Sequence, residues 1–366
     1  MINILQVVWG LNVGGAETFL YNVLSKLETE KYHVDFVIQD EKIKNKKIYE
    51  LCKQNKWDIY KVPPFNKNLY AYIKAMKKIM SHQYDVVHVH MNALINIIPV
   101  ILAKKRNIKI IIHSHNSKNN LGGKIAEIIH LFNRKMLGRI NTINLACSKP
   151  AGEWMYGDRD FILLDNAIDI EEYKYNEEER NLIRKKYGIQ DKTVIGHVGR
   201  FVEAKNHEYI LQVFKKYTHK NGDSVLMLVG DGPLKESIVN LADKLNISDK
   251  VIFTGEKQNT RGFYSTFDSM LFPSIYEGLP FVLVEAQASG LPVVVSNRVT
   301  KEIDLTANVQ FLPLDSKMED WVLALDKRLV PEERLKCAGK MKETKYNIDF
   351  TVDAVKKLYS AKNKDV

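Results

Sequence analysis

Short apolar, β-branched runs recur along the chain, and each is followed by a longer stretch in which apolar positions return every three or four residues. The runs suit strands buried on both faces, the longer stretches suit helices with one apolar stripe, and their alternation predicts βαβ units. Residues 3–9, 34–39, 86–90, 109–113 and 142–146 read as strands in the first half, and 193–198, 225–229, 251–253, 270–272 and 292–296 in the second. The predicted class is α/β, with two parallel sheets of about five strands each in preference to one very wide sheet.

A length of 366 residues suits two domains. The polar stretch at 165–169 and the acidic segment at 171–180 mark the boundary, giving predicted domains at 1–168 and 169–350. A last helix at 351–362 has no strand after it. Apolar residues make up 45% and charged residues 27%, a globular composition that excludes fibrous, low-complexity and integral-membrane classes. Cys52, Cys147 and Cys337 are far apart without CxxC spacing, so a reduced, cytoplasmic chain is expected. No basic stretch precedes the first strand, so no secretory signal is expected, and the longest apolar run, 93–103, is too short to span a bilayer.

The net charge of +10 is unevenly spread. Residues 1–150 hold 23 Lys/Arg against 10 Asp/Glu, whereas 151–366 hold 31 against 34. The basic half is expected to face an anionic partner: a membrane leaflet, an acidic substrate or nucleic acid. No basic recognition helix or aromatic stacking motif accompanies it, which disfavours nucleic acid. Helices near 69–80 and 124–140 place Leu69, Ile73, Met76 and Met80, and Ile125, Ile128, Ile129 and Phe132, on apolar stripes. Core-facing amphipathicity is the simplest reading of that spacing.

The segment 274–292 carries the densest cluster of informative residues: Glu277, Gly278 and Pro280 break a strand, and an apolar helix containing Glu285 then runs to Gly290. The free N–H groups at its start, around Phe281 and Val282, and its positive dipole end suit a diphosphate at the carboxyl edge of a sheet. A carboxylate inside an apolar helix needs partners, and sugar or ribose hydroxyls would serve Glu277 and Glu285. The loop after 193–198 carries Gly199, Arg200 and Lys205, two cations that suit the same anion. Gly230 opens a tight turn after 225–229, and Gly14 and Gly15 follow the first strand. His88 and His90, and His113 and His115, end two strands with both members of each pair on one side. With Asn92 and Asn116 they suggest a polar cleft; zinc is a rival reading that lacks a completing Cys or carboxylate. The string Asp158-Arg159-Asp160 sits in a polar connector and reads as a chance loop. P-loop, HExxH and GxSxG patterns are missing.

Taken together, Glu277 to Glu285 with Gly290-Leu-Pro292, Gly199-Arg200 to Lys205, Gly230-Asp-Gly-Pro233 and Gly14-Gly15-Ala-Glu17 resemble the retaining GT-B glycosyltransferases of family 4. The chain is similar to bacterial exopolysaccharide and capsule transferases of the EpsF type, which share the His113-Ser-His115-Asn116 string. The resemblance implies two Rossmann-like domains, a nucleotide-sugar (UDP-sugar) donor on the second, a lipid-linked or saccharide acceptor on the first, and a terminal segment, 351–366, packed back on the first. It implies that Arg200 and Lys205 hold the diphosphate, Glu277 the sugar, Glu285 the ribose and Gly15 the phosphates, with His115, or less directly His113, beside the reacting sugar. His90, Asn92, His113 and Asn116 become acceptor-side candidates. It further implies a hexosyl or N-acetylhexosaminyl transfer needing no metal cofactor, at the inner face of the cell membrane. Another nucleotide-sugar enzyme on the same fold, an epimerase or phosphorylase, is the alternative. The sequence departs from the family at Asn206, where glycine often follows the lysine.

Overall fold

The structure is a computed structural model that describes residues 1–12, 14–40, 42–116, 123–277 and 279–361. Gly278, and residues 362–366 of the expected terminal segment, lie outside the described residues. The chain forms two compact units, residues 1–167 with 348–366, and residues 168–347.

In the first unit the strands are β1 (Ile2–Val7), β2 (Tyr32–Ile38), β3 (Ile59–Lys61), β4 (Val86–Met91), β5 (Lys109–Ser114), β6 (Ile143–Ala146) and β7 (Ile162–Leu163). They form one parallel sheet in the order β3-β2-β1-β4-β5-β6-β7. Side chains alternate between faces: Ile4, Phe36 and Ile111 pack beneath the helices Gly15–Leu24 and Ile348–Ser360, while Leu5, Val37 and Ile112 pack on the other side with Met76 and Val100. The second unit contains β8 (Thr193–Val198), β9 (Ser224–Val229), β10 (Val251–Gly255), β11 (Ser269–Phe272), β12 (Val293–Ser296) and β13 (Val309–Leu312). Its parallel order is β10-β9-β8-β11-β12-β13.

The two sheets have seven and six strands, more than the expected five or so. The additional strands β3, β7 and β13 all lie at sheet edges. They are short and partly or fully exposed, so they lack the continuous apolar run that marks a central strand. The final helix begins at Ile348, earlier than expected, and packs on the first unit through Val352, Val355 and Tyr359. Among the described residues no helix is long and apolar enough to cross a membrane.

Two helices differ from their expected stripes. In Leu69–Ile79, Met76 is buried but Leu69 is exposed. In Lys124–Leu137 the orientation is inverted, with Ile125 75%, Ile128 65% and Phe132 64% exposed, and His130 and Asn133 facing inward. Those inward polar groups hold a loop: His130 Nδ1 accepts from Leu94 N at 3.0 Å, and Asn133 donates to Leu94 O at 2.7 Å. His130 also stacks on Trp154, centroids 4.3 Å apart.

Candidate functional site

In an open parallel sheet, ligands bind beyond the carboxyl ends of the strands where the strand order reverses. In the second unit that point lies between β8 and β11. The loop after β8 and the loop after β11 are tied together there: Ile275 N donates to Ala204 O at 2.9 Å, and Asn206 Nδ2 donates to Pro273 O at 3.2 Å. Lys205 and Glu277, 72 positions apart, meet as a result, with Nζ donating to Oε1 at 2.6 Å. Both side chains are mostly buried, 16% and 13% exposed, and the ammonium lies 4.7 Å from the Phe272 ring centroid. Arg200 stands on the same loop and is exposed.

Asn206 occupies the position where the resemblance leads to the expectation of a glycine. Its φ of 56° and ψ of 48° place it in the left-handed region, which asparagine tolerates better than most side chains. Gly230 has φ of +145°, and a Cβ there would lie 2.0 Å from the Gly199 carbonyl oxygen, so glycine lets the loops after β8 and β9 touch. Gly199 itself faces Lys205, whose side chain would meet a Cβ at 3.4 Å.

Phe281 and Val282 open the helix Phe281–Ala288 behind the Pro280 cap, which leaves the first N–H groups without intrahelical partners. Glu285, one turn further, accepts from Tyr173 Oη at 3.2 Å and Tyr264 Oη at 2.5 Å. Burial, and then the charge of Glu285, push both phenols above their usual range, which keeps them as donors. The sequence reading missed both tyrosines, because nothing local to 173 or 264 points at position 285.

In the first unit the order reverses between β1 and β4. A cavity of about 590 Å³ opens there, lined by Trp9, Asn12, Glu17, His90, Asn92 and His115 among others. Gly14 caps the adjoining helix Gly15–Leu24 in an extended conformation, and no atom lies within 4 Å of a Cβ built on Gly15, so its backbone is open to close approach. His113 lies elsewhere than the cleft expected for it: it is fully buried, with its ring edge-on to Phe19 at 4.8 Å, and is not among the residues lining the cavity. Asn116 is half-buried beyond the end of β5, and its carbonyl accepts from Ser114 Oγ at 3.5 Å.

His88, His90, His113 and His115 share one face of β4 and β5. Burial pushes all four below the ordinary imidazole range, with His115 down to about 4, and for the first three the neighbouring histidines add to it. Ring nitrogens of His88, His90 and His113 lie within 4.8 Å of one another. Both nitrogens of His90 already have partners, Gln6 Oε1 and His115 Nε2, each at 2.8 Å, which leaves two histidines with nitrogens to spare. Two imidazoles are too few for a structural zinc set.

Two doubly wound parallel sheets, one with a lysine–carboxylate pair at its switch point and the other with a cavity at the equivalent place, are the architecture of GT-B sugar transferases. Comparison with known proteins agrees. The model described as "Glycosyl transferases group 1" matches residues 179–334, and that described as "Glycosyltransferase Family 4" matches residues 13–156. A Bacillus subtilis protein assigned as the glycosyltransferase EpsF is 31% identical over 82% of this chain and 80% of its own. The Escherichia coli UDP-Gal:alpha-D-GlcNAc-diphosphoundecaprenol alpha-1,3-galactosyltransferase is 25% identical over 81% of this chain and 82% of its own. Among solved structures, Anabaena HepE in complex with UDP superposes with a TM-score of 0.76 at 15% identity, covering 98% of this chain and 100% of that one. The chain belongs to the family-4 glycosyltransferases of the GT-B fold, and it is an enzyme of polysaccharide or glycoconjugate biosynthesis.

Proposed function

We propose that the enzyme moves a hexosyl or N-acetylhexosaminyl group from a UDP-sugar to a lipid-linked or saccharide acceptor, with retention at the anomeric carbon and without a metal ion. The observation that carries this reading is the Lys205–Glu277 pair at the β8/β11 switch point beside the start of the helix Phe281–Ala288. Lys205 and Arg200 hold the donor diphosphate together with the helix N–H groups, Glu277 binds sugar hydroxyls, and Glu285 binds the ribose. The UDP in the HepE complex and the UDP-Gal of the E. coli relative support the choice of base.

With Glu277 assigned to the sugar and Glu285 to the ribose, transfer runs on one face of the sugar. The bond from the anomeric carbon to the diphosphate oxygen breaks, the bond to the acceptor oxygen forms on the same side, and the acceptor proton passes to an oxygen of the departing diphosphate. The two cations and the helix dipole stabilise the charge that develops on that leaving group. Thermal melts against a nucleotide-sugar panel check the donor: UDP-sugars at about 100 times Kd stabilise the fold by roughly 2.7 kcal/mol. Transfer to a polyprenyl-diphosphate-linked sugar then gives an α-linked product from an α-linked donor, with turnover unchanged in EDTA. An inverted product, or no stabilisation by any nucleotide-sugar, sinks the reading.

The acceptor is proposed to sit at an anionic membrane surface, and the inverted helix Lys124–Leu137 supports this. Its outward face joins Ile125, Ile128 and Phe132 to Lys124, Arg134 and Lys135, and Lys104 of the neighbouring helix donates to Arg139 O at 3.1 Å, which brings further cations alongside. An apolar face ringed by cations suits an anionic lipid headgroup layer and repels a second copy of itself. The protein is expected to sediment with phosphatidylglycerol vesicles at low salt and to leave them at high salt. Ile128→Asp combined with Phe132→Asp abolishes that binding and leaves donor binding in solution unchanged. Equal sedimentation of the double variant overturns the assignment of this face.

A further inference from the structure

Residues 1–150 hold 23 Lys/Arg against 10 Asp/Glu, yet the cavity at the β1/β4 switch point is built without that charge. Among the described residues no lysine or arginine lines it, and its one carboxylate is Glu17. Burial holds the lining imidazoles, His90 and His115, below their ordinary range, so both are uncharged at neutral pH. The lining surface is mostly apolar, and Ala16, Phe65, Met91, Ile95 and Ala126 each keep part of their surface open.

Several polar groups of the lining are already engaged by the protein. Gln39 Oε1 accepts from Phe65 N at 3.0 Å, and Asn96 donates to Tyr72 Oη at 2.9 Å while its Oδ1 accepts from Ile98 N at 3.1 Å. His90 meets Gln6 and His115, and Gln6 continues to Tyr359 Oη of the final helix at 2.9 Å, which also meets His88 Nδ1 at 2.9 Å. On that side the cavity offers a ligand carbon, where a hydroxyl would lose its water without replacement and a methyl group would gain by burial. Asn66 and Asn92, by contrast, are exposed, and Glu17 is half-buried. Trp9 lines the same cavity and is 50% exposed, its ring edge-on to Phe65 at 6.3 Å and its carbonyl accepting from Gln39 N and Asp40 N, each at 2.9 Å. It is a large aromatic face, fixed in place and open to a ligand.

We propose that the cavity selects an uncharged acceptor sugar that carries a methyl group, as an acylamino or a deoxy sugar does, with the sugar ring stacked on Trp9 and the methyl against Phe65, Met91 and Ile95. Asn66, Asn92 and Glu17 serve the hydroxyls that remain. A uronic acid is rejected, because no cation of the lining receives its carboxylate and Glu17 repels it. The inference rests on the reading of the first unit as the acceptor half. It adds the chemical class of the acceptor sugar and makes Trp9 a specificity residue for the reaction.

The test uses the full-length protein and four methyl glycosides as probes, those of the N-acetylamino sugar, the 6-deoxy sugar, the parent hexose and the uronic acid, in both the gluco and the galacto series. Saturation-transfer NMR needs no turnover; it should show binding of the N-acetylamino or the 6-deoxy glycoside, with the strongest transfer at the acetyl or C6 methyl protons, and none of the uronide. In transfer assays with the donor found by thermal melts, kcat/KM for the preferred methyl-bearing glycoside should exceed that for the parent hexose at least about tenfold, as one methyl group does in an apolar pocket. Which of the two is preferred assigns the methyl to an acylamino or a deoxy position. Trp9→Ala should raise the acceptor KM at least about tenfold with donor KM and melting temperature near wild type, and Trp9→Phe should keep most of the affinity. Equal use of the parent hexose or of the uronide overturns the inference and leaves the transferase reading standing, and so does an acceptor KM unmoved by Trp9→Ala. Binding of the methyl-bearing glycosides, lost in Trp9→Ala, without transfer from any nucleotide-sugar would instead overturn the transferase reading and leave the selectivity of the cavity in place.

Discussion

Lys205→Ala is expected to lower kcat by about 10²- to 10³-fold, the loss seen when one preorganised group facing developing charge is removed. The departing nucleotide carries its negative charge on the diphosphate, and Lys205 is the mostly buried cation at the β8/β11 switch point. Its ammonium is fixed by Glu277 at 2.6 Å and backed by the Phe272 ring, so little reorganisation is required when the charge appears. The single substitution has a second effect, because it leaves the Glu277 carboxylate largely buried without its cation. Combining Lys205→Ala with Glu277→Gln removes the stranded charge; the melting temperature should then recover while kcat does not. Single-turnover kinetics with saturating donor, together with thermal melts of both variants, separate the two effects. Near-wild-type turnover in Lys205→Ala would refute the proposed grip on the leaving group.

Mild acid should destabilise the first unit before the second. Burial holds His88, His90, His113 and His115 below the ordinary imidazole range, and it does the same to His197 and His207 in the second unit. A histidine whose folded value is depressed takes up its proton only in the unfolded chain, so its contribution is complete above about pH 6.5 and shrinks as pH falls. The fall continues toward the folded values, about 4 for His115 and for His207. More of these groups lie in the first unit, where His130 is depressed as well, than in the second, so the first unit loses more stability as the pH falls. Hydrogen exchange at pH 7.5 and 5.5, read separately over the two units, should show earlier loss of protection in residues 1–167. Identical protection at the two pH values, or earlier opening of residues 168–347, would contradict this account.

The central strands were legible in the sequence because burial on both faces leaves continuous apolar runs such as Val225 to Val229. Edge strands were not, since a two-residue ladder such as Ile162–Leu163 leaves no such run. The helix Lys124–Leu137 shows a different limit. Its apolar spacing was visible, but periodicity states that a stripe exists and not which way it faces. The inward side was decided by His130 and Asn133, which satisfy the backbone of Leu94 thirty-six and thirty-nine positions away. In the site, the chemistry of Lys205 and of Glu277 could be read from their loops, but their pairing depends on strands β8 and β11 being neighbours. The histidine pairs at the ends of β4 and β5 were equally visible. Gln6 and Tyr359 were not: the one signal was an amide toward the end of an otherwise mostly apolar strand, and its partner lies 353 positions away.

That long closure bears on how the chain is made. The second unit is contiguous, whereas the first is completed by the helix Ile348–Ser360. On the ribosome, the second unit has its whole sequence available while the first still waits for the helix Ile348–Ser360 to emerge. A message cut short before residue 348 would yield one finished half and one with Gln6 and His88 stripped of the hydroxyl that satisfies them. Closure of the first unit is thereby deferred until a segment translated after the whole of the second.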